Sequence, residues 1–359
     1  MVGNTAGGGG AERGMSDERA VELGLDTFGD VTAGPDGTPV APARVVRDVV
    51  AEGVLADEVG VEHFGVGEHH RADFAVSAPD VVLAAIAART QRIRLGSAVT
   101  VLSSDDPVRV YQRFATLDAI SDGRAELTVG RGSFTESFPL FGYDLADYEK
   151  LFEEKLDLLV ALRGEGPVTW SGTVRAPLRG QRVWPTGEQR PLPVWVGVGG
   201  SPESVVRTAR HGLPMMLAII GGPPDRFAPY VDLFHRATEQ LGHGTLPVGV
   251  HSPGFVAATD DEARELFWPH YKAGMDRIGA ERGWPPLTRA RYDAEIDHGA
   301  LHLGGPDTVA QKIARTVSDL GVARFDLKYS VGTLAHEHLM TAIGLYGTEV
   351  VPRVRKLLA

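Results

Sequence analysis

The chain of 359 residues contains no cysteine. Disulfides, thiolate-bound metals and a cysteine nucleophile are therefore excluded. It also lacks any cluster of lysine and arginine, and its net charge is -11. Nucleic-acid binders present a basic surface, so that class is set aside. No apolar run approaches the roughly 18 residues that a membrane span requires. No G-x-G-x-x-G follows the first predicted strand; the loop there carries Gly29, Gly34, Pro35, Gly37, Pro39 and Pro42 instead. That counts against an open, doubly wound dinucleotide-binding sheet. Residues 1–17 are Gly-rich and non-periodic and lack the apolar core of a signal peptide. They read as a disordered leader, or as sequence upstream of a start at Met15, and the protein is expected in the cytoplasm.

The remaining chain is 43% hydrophobic and 23% charged, an ordinary globular balance. Apolar runs that fit buried parallel strands fall near residues 21–28, 61–67, 93–102, 125–130, 194–198, 214–220, 247–258 and 324–328. Between them lie helical patterns at 44–59, 79–90, 107–122, 148–162, 224–241, 260 onward, 305–321 and 335–358. Several begin with Pro or an acidic residue, as helix starts do. Residues 168–193 break the alternation and read as a hairpin on the rim. Residues 284–299, rich in tryptophan, proline and charge, read as a mobile loop. Eight strand–helix alternations predict a single (β/α)8 TIM barrel with rim insertions over residues 18–359.

In such a barrel the strands' C-terminal ends carry the chemistry. The second strand ends in Glu68-His69-His70. A histidine here suits acid, base or hydrogen-bonding work. A metal reading is weak, because adjacent residues on a strand point to opposite faces and no H-x-H spacing is present. Gly130-Arg131-Gly132 follows the fourth strand. Flanking glycines let the backbone approach a ligand, and the guanidinium suits a phosphate. Gly199-Gly200-Ser201-Pro202-Glu203-Ser204 runs from a strand end into a helix start. That is anion-binding geometry, although a plain serine cap would look the same. Gly96-Ser97-Ala98-Val99 places small residues where a flat ring could rest on the backbone. Phe134, Phe138, Phe141 and Tyr143 either line the substrate side or pack their own loop.

These motifs, in this order, resemble the bacterial-luciferase-like family of flavin-dependent monooxygenases, and within it the short-chain FMN-using members. The resemblance covers residues 21–358. It rests on Glu68-His69-His70, residues 95–102, Pro107-Val108-Arg109, residues 117–124, Gly130-Arg131-Gly132, Phe141-Gly142 and His211-Gly212-Leu213-Pro214-Met215. It implies a (β/α)8 barrel with FMN at its mouth and His69 as the catalytic histidine, beside Glu68 and His70. It also implies a cis peptide at Ala98-Val99 behind the flavin ring. Contacts to the phosphate would come from Arg131, Ser201 and Ser204, and Gly132 and Gly200 would also lie against the cofactor. Two features depart from luciferase itself: Gly200 replaces a glutamate, and no cysteine lies near the flavin. Both argue against light-emitting oxidation of long-chain aldehydes.

The implied reaction uses reduced FMN from a separate reductase, with O2 and a small organic substrate, in a homodimer. One alternative is hydride transfer with a deazaflavin (F420), whose longer charged tail would need more basic contacts than Arg131. Another is a flavin-binding protein without turnover.

Overall fold

The computed structural model describes residues 21–34, 36–164 and 166–359. The leader expected over residues 1–17 lies outside the described residues. In chain order the regular elements begin with β1 (Glu22–Thr27), α1 (Pro42–Glu58), β2 (His63–Val66), α2 (Pro79–Ala87), β3 (Arg94–Ser97), β4 (Thr100–Val101), α3 (Pro107–Ile120) and β5 (Ala125–Gly130). Next come α4 (Ser137–Phe141), α5 (Tyr148–Leu162), β6 (Val168–Trp170), β7 (Leu178–Gln181), β8 (Val194–Val198), α6 (Pro202–Arg210), β9 (Met215–Ala218) and α7 (Ala228–Gln240). The last are β10 (Val248–Val256), α8 (Asp260–Arg282), α9 (Arg289–His298), β11 (His302–Gly304), α10 (Pro306–Leu320), β12 (Arg324–Lys328), α11 (His336–Leu345) and α12 (Val351–Leu358).

The parallel ladder runs β1-β2-β3-β5-β8-β9-β10-β12 and returns to β1, so eight strands close into a barrel. Helices ring it, as the expected TIM architecture requires. β4 extends the ladder on β5 and β11 extends it on β10. β6 and β7 form the antiparallel rim hairpin. The strands are buried almost throughout, which is why they read as apolar runs rather than as alternating patterns. Their outward side chains, such as Leu23, Leu25, Phe64, Leu95, Leu127 and Phe325, fill the layer between barrel and helices.

The inward side chains are different. At the N-terminal end of the barrel, Arg324 donates to Glu22 (Nε to Oε2, 2.8 Å) and to Glu126 (Nη2 to Oε2, 3.0 Å). Arg94 adds a bond to Glu126 at 3.2 Å. One layer higher, His63 lies between Asp326 (3.0 Å) and Glu126 (3.3 Å). Burial works against the Glu126 charge, but Arg324 and His63 outweigh it and hold the carboxyl well below the usual range. The barrel floor is thus closed by a buried ion network, leaving the opposite mouth as the route inward.

Residues 284–299 differ from the expected mobile loop: α9 occupies residues 289–298. Thr288 caps it, its hydroxyl accepting the Arg291 N–H at 3.3 Å. Tyr292 and Ile296, four residues apart, bury one face. Tyr292 packs on Trp268 and Tyr271 of α8, with ring centroids 5.0 and 5.8 Å apart. Two apolar residues suffice because α8 supplies the rest of the contact, a tertiary effect that the charge-rich local sequence conceals.

Candidate active site

The loops at the C-terminal ends of the strands bring the predicted phosphate residues together. Arg131, just past β5, donates from Nη2 to the Ser204 hydroxyl at 3.0 Å. The Ser201 and Ser204 hydroxyls are 3.0 Å apart, and Ser201 caps α6 by accepting the Ser204 N–H at 3.3 Å. A guanidinium, two hydroxyls and the positive end of a helix therefore converge on one point. Gly200 holds φ +89°, and the space where a Cβ of Gly199 would sit is open. Gly132 holds φ +83° and turns its carbonyl to the Tyr148 hydroxyl (2.7 Å), while the Tyr148 ring lies 5.3 Å from the Arg131 guanidinium. Glu149 also pairs with Arg131, and it accepts from Arg207 at 2.6 Å.

β3 stops at Ser97, and the chain passes through a cis peptide at Ala98-Val99 before resuming as β4. Neighbouring strands make room for it with glycines. A Cβ on Gly130 would lie 2.6 Å from Val99, and one on Gly197 would lie 3.1 Å from it. A Cβ on Gly65 would lie 3.0 Å from Ala98. The result is a shelf at Ala98-Val99 whose Val99 side chain fills the room left by Gly130 and Gly197.

Glu68, His69 and His70 separate into two jobs. Glu68 accepts the Val101 N–H on one oxygen (2.8 Å) and bonds His70 Nε2 with the other (2.9 Å). Its own N–H donates to the Val99 carbonyl at 3.1 Å. Glu68 and His70 thus brace the Ala98-Val99 shelf. His69 points elsewhere, into an aromatic nest of Phe28, Phe74 and Phe134 with ring centroids at 4.6, 4.3 and 5.6 Å. Its Nδ1 is buried with no hydrogen-bond partner among the described residues. Burial pushes the His69 pKa down to about 3, so the ring is neutral at physiological pH.

Of the loop aromatics, Phe134 reaches His69. Phe138 is buried and stacks on Tyr148 at 5.4 Å, and Tyr143 lies under the Lys155 ammonium at 4.0 Å. Phe141 meets the edge of His70 at 5.2 Å and is half-exposed. Arg71 binds the rim together: it bonds Asp73 (3.2 Å), Glu281 (2.6 Å) and Glu136, and its guanidinium covers the Phe134 ring at 4.4 Å.

Sequence reasoning did not find the groups opposite His69. Asp26 at the end of β1 meets His251 of β10 at 2.6 Å, and Phe28 lies between the two histidines, 5.9 Å from His251. Lys328, at the end of β12, bonds Asp30 at 2.7 Å and lies 4.7 Å from the Phe28 ring. The available signal was charge inside buried strands: Asp26 interrupts an apolar run, and so does His251.

The luciferase-like monooxygenase family model matches residues 27–324, and the chain belongs to that family. Among curated proteins it is similar to uncharacterized protein y4vJ of Sinorhizobium fredii, 29% identical, covering 91% of this chain and 97% of that one. It is likewise similar to the alkanal monooxygenase alpha chain of Photobacterium leiognathi, 26% identical over 87% and 94%. The fold matches monooxygenase RslO1 from Streptomyces bottropensis with a TM-score of 0.76, at 24% identity over 92% and 99% of the two chains. It matches the oxygenating constituent of Pseudomonas putida 3,6-diketocamphane monooxygenase in complex with FMN with a TM-score of 0.74, at 18% identity over 93% and 98%. It also matches a coenzyme F420-dependent tetrahydromethanopterin reductase from Methanopyrus kandleri with a TM-score of 0.64, at 18% identity over 93% and 99%.

Proposed function

We propose that this protein is an FMN-dependent monooxygenase that takes reduced FMN from a separate reductase and uses O2 on a small organic substrate. The observation that carries the reading is the convergence of Arg131, Ser201 and Ser204 at the start of α6. A phosphate monoester matches it in hydrogen-bond demand: the site offers hydroxyl and backbone donors at a helix start and the Arg131 guanidinium, which shares Glu149 with Arg207. When bound, reduced FMN supplies two electrons, so that one oxygen atom of O2 enters the substrate and the other leaves as water.

The chain's own residues then have distinct tasks. Arg131, Ser201 and Ser204 bind the phosphate, with Gly132 and Gly200 shaping the turns around it. Ala98 and Val99 support the ring, and Glu68 and His70 keep that shelf in place. The nest of Phe28, Phe74 and Phe134 keeps water from the reacting atoms. His69, neutral and with an unpaired Nδ1, holds or receives a proton there. Activity as a homodimer in the cytoplasm belongs to the same reading; the exposed Val81 of α2 and Ile120 at the end of α3 suit a partner's face.

The test is oxygen uptake. Reduced FMN with candidate substrates is expected to consume O2 and yield an oxygenated product. Oxygen-independent substrate reduction with reduced F420, and no uptake with FMN, would move the protein to the hydride-transfer branch. FMN binding without a product would make it a flavin-holding protein.

A further inference from the structure

The mouth carries a second imidazole that the reading above does not use. His251 and Asp26 come from β10 and β1, strands that are separated in the barrel by β12. Side chains on such strands meet only by pointing inward. His251 Nδ1 and Asp26 Oδ2 are joined by a hydrogen bond of 2.6 Å, and burial raises the Asp26 pKa against the lowering influence of His251. Asp26 is 1% exposed, and its other oxygen, Oδ1, has no hydrogen-bond partner among the described residues. Nε2 of His251 has no hydrogen bond to any described residue, and the side chain is 14% exposed. Phe28 stacks on it at 14° and separates it from His69.

We propose that His251 is a second acid–base residue of the active site, a catalytic group that delivers a proton to the reacting oxygen, with Asp26 as its positioning residue. This rests on the monooxygenase reading. In the step, the His251 Nε2–H bond breaks and its electron pair stays on nitrogen. The proton goes to the oxygen atom that leaves as water, with O2 the oxidant and reduced FMN the source of electrons. The His251–Asp26 pair then recovers one proton from solvent.

The two histidines are set apart by their surroundings. Burial alone would lower the His251 pKa, as it does for His69. The charge and hydrogen bond of Asp26, with Asp326 behind it, outweigh that burial and the opposing charge of Lys328, so His251 is held above the ordinary imidazole value. His69 has no carboxylate bonded to it. One site therefore contains a neutral imidazole and a protonatable one, the separation expected of an acid and its partner group.

The experiment combines titration with kinetics in the full-length chain. Histidine-labelled NMR of the unmodified protein is expected to show His251 titrating above about 6.5, with the value falling in D26N. H251Q is expected to keep its affinity for FMN and its KM while kcat drops roughly a hundredfold. It should also lose one limb of the pH profile and regain part of its rate with added imidazole. A His251 that titrates below 6.5, a kcat within about twofold of wild type, or a raised KM with kcat retained would each overturn the proposal. Wild-type protein that takes up no oxygen with reduced FMN would remove the monooxygenase reading and the proposal with it. Normal wild-type uptake that H251Q leaves unchanged would remove the proposal alone.

Discussion

His69 sits where burial is uncompensated. No carboxylate bonds it, three phenylalanine rings surround it, and its pKa falls to about 3. Its contribution to turnover is therefore expected to be independent of pH between about 5 and 8, because the ring does not ionise there. Changing His69 to Ala should leave FMN affinity within a few-fold and lower kcat by roughly 10²-fold or more. Stopped-flow turnover with a fluorescence titration of FMN checks both. Unchanged turnover removes its assigned role. At this scale the sequence was uneven in what it disclosed. His69, Arg131, Ser201 and Ser204 were legible because each ends or follows a strand beside glycines or a helix start. The Asp26–His251 pair was not, because its members lie 225 positions apart and meet only once the barrel closes.

The elements that build the site are held by their ends. α6 begins with Ser201 as its cap, so the groups that stabilise the helix start are the ones proposed to meet the phosphate. The loop after β5 is held at the rim by Arg71, which is itself little exposed and reaches Asp73, Glu136 and Glu281 on three segments. Replacing Arg71 with Ala removes its bridge from Glu136 to Glu281 and leaves Arg282, which donates to the Ser133 carbonyl at 3.2 Å, as the link between that loop and the end of α8. Amide exchange in residues 131–141 is expected to accelerate, with the exchange of β5 unchanged; equal exchange in both proteins would mean that Arg282 and the loop's own contacts suffice. α9 was not legible for a related reason: its stability comes from the face that Tyr292 and Ile296 lay on α8, and no local periodicity reports that contact.

At the scale of the molecule, the barrel was legible from the alternation of apolar runs and helical patterns, and all eight barrel strands fall where those runs lie. Its charged floor was not. Glu22, Ala125-Glu126, Arg94 and Arg324 open their strands. Charge at a strand's beginning reads as a solvated end, yet closure turns these residues inward. Arg324 and Glu126 are both almost fully buried, so removing Arg324 leaves the Glu126 charge with only Arg94 and His63 to offset its burial. R324M is expected to cost about 3–5 kcal/mol in urea denaturation, and R324M with E126L to recover most of that loss. A single variant within about 0.5 kcal/mol of wild type would show that the network is not what closes the floor.

The central claim is that Arg131 and the start of α6 hold the phosphate of a mononucleotide whose ring faces His69. The most direct measurement is the dissociation constant of FMN set against that of riboflavin, in wild type and in R131Q. The account predicts that wild type binds FMN more tightly than riboflavin, and that R131Q weakens FMN by about tenfold to a hundredfold while riboflavin is unaffected. Equal affinity for the two flavins in wild type, or an R131Q protein that binds FMN as well as wild type does, would contradict it.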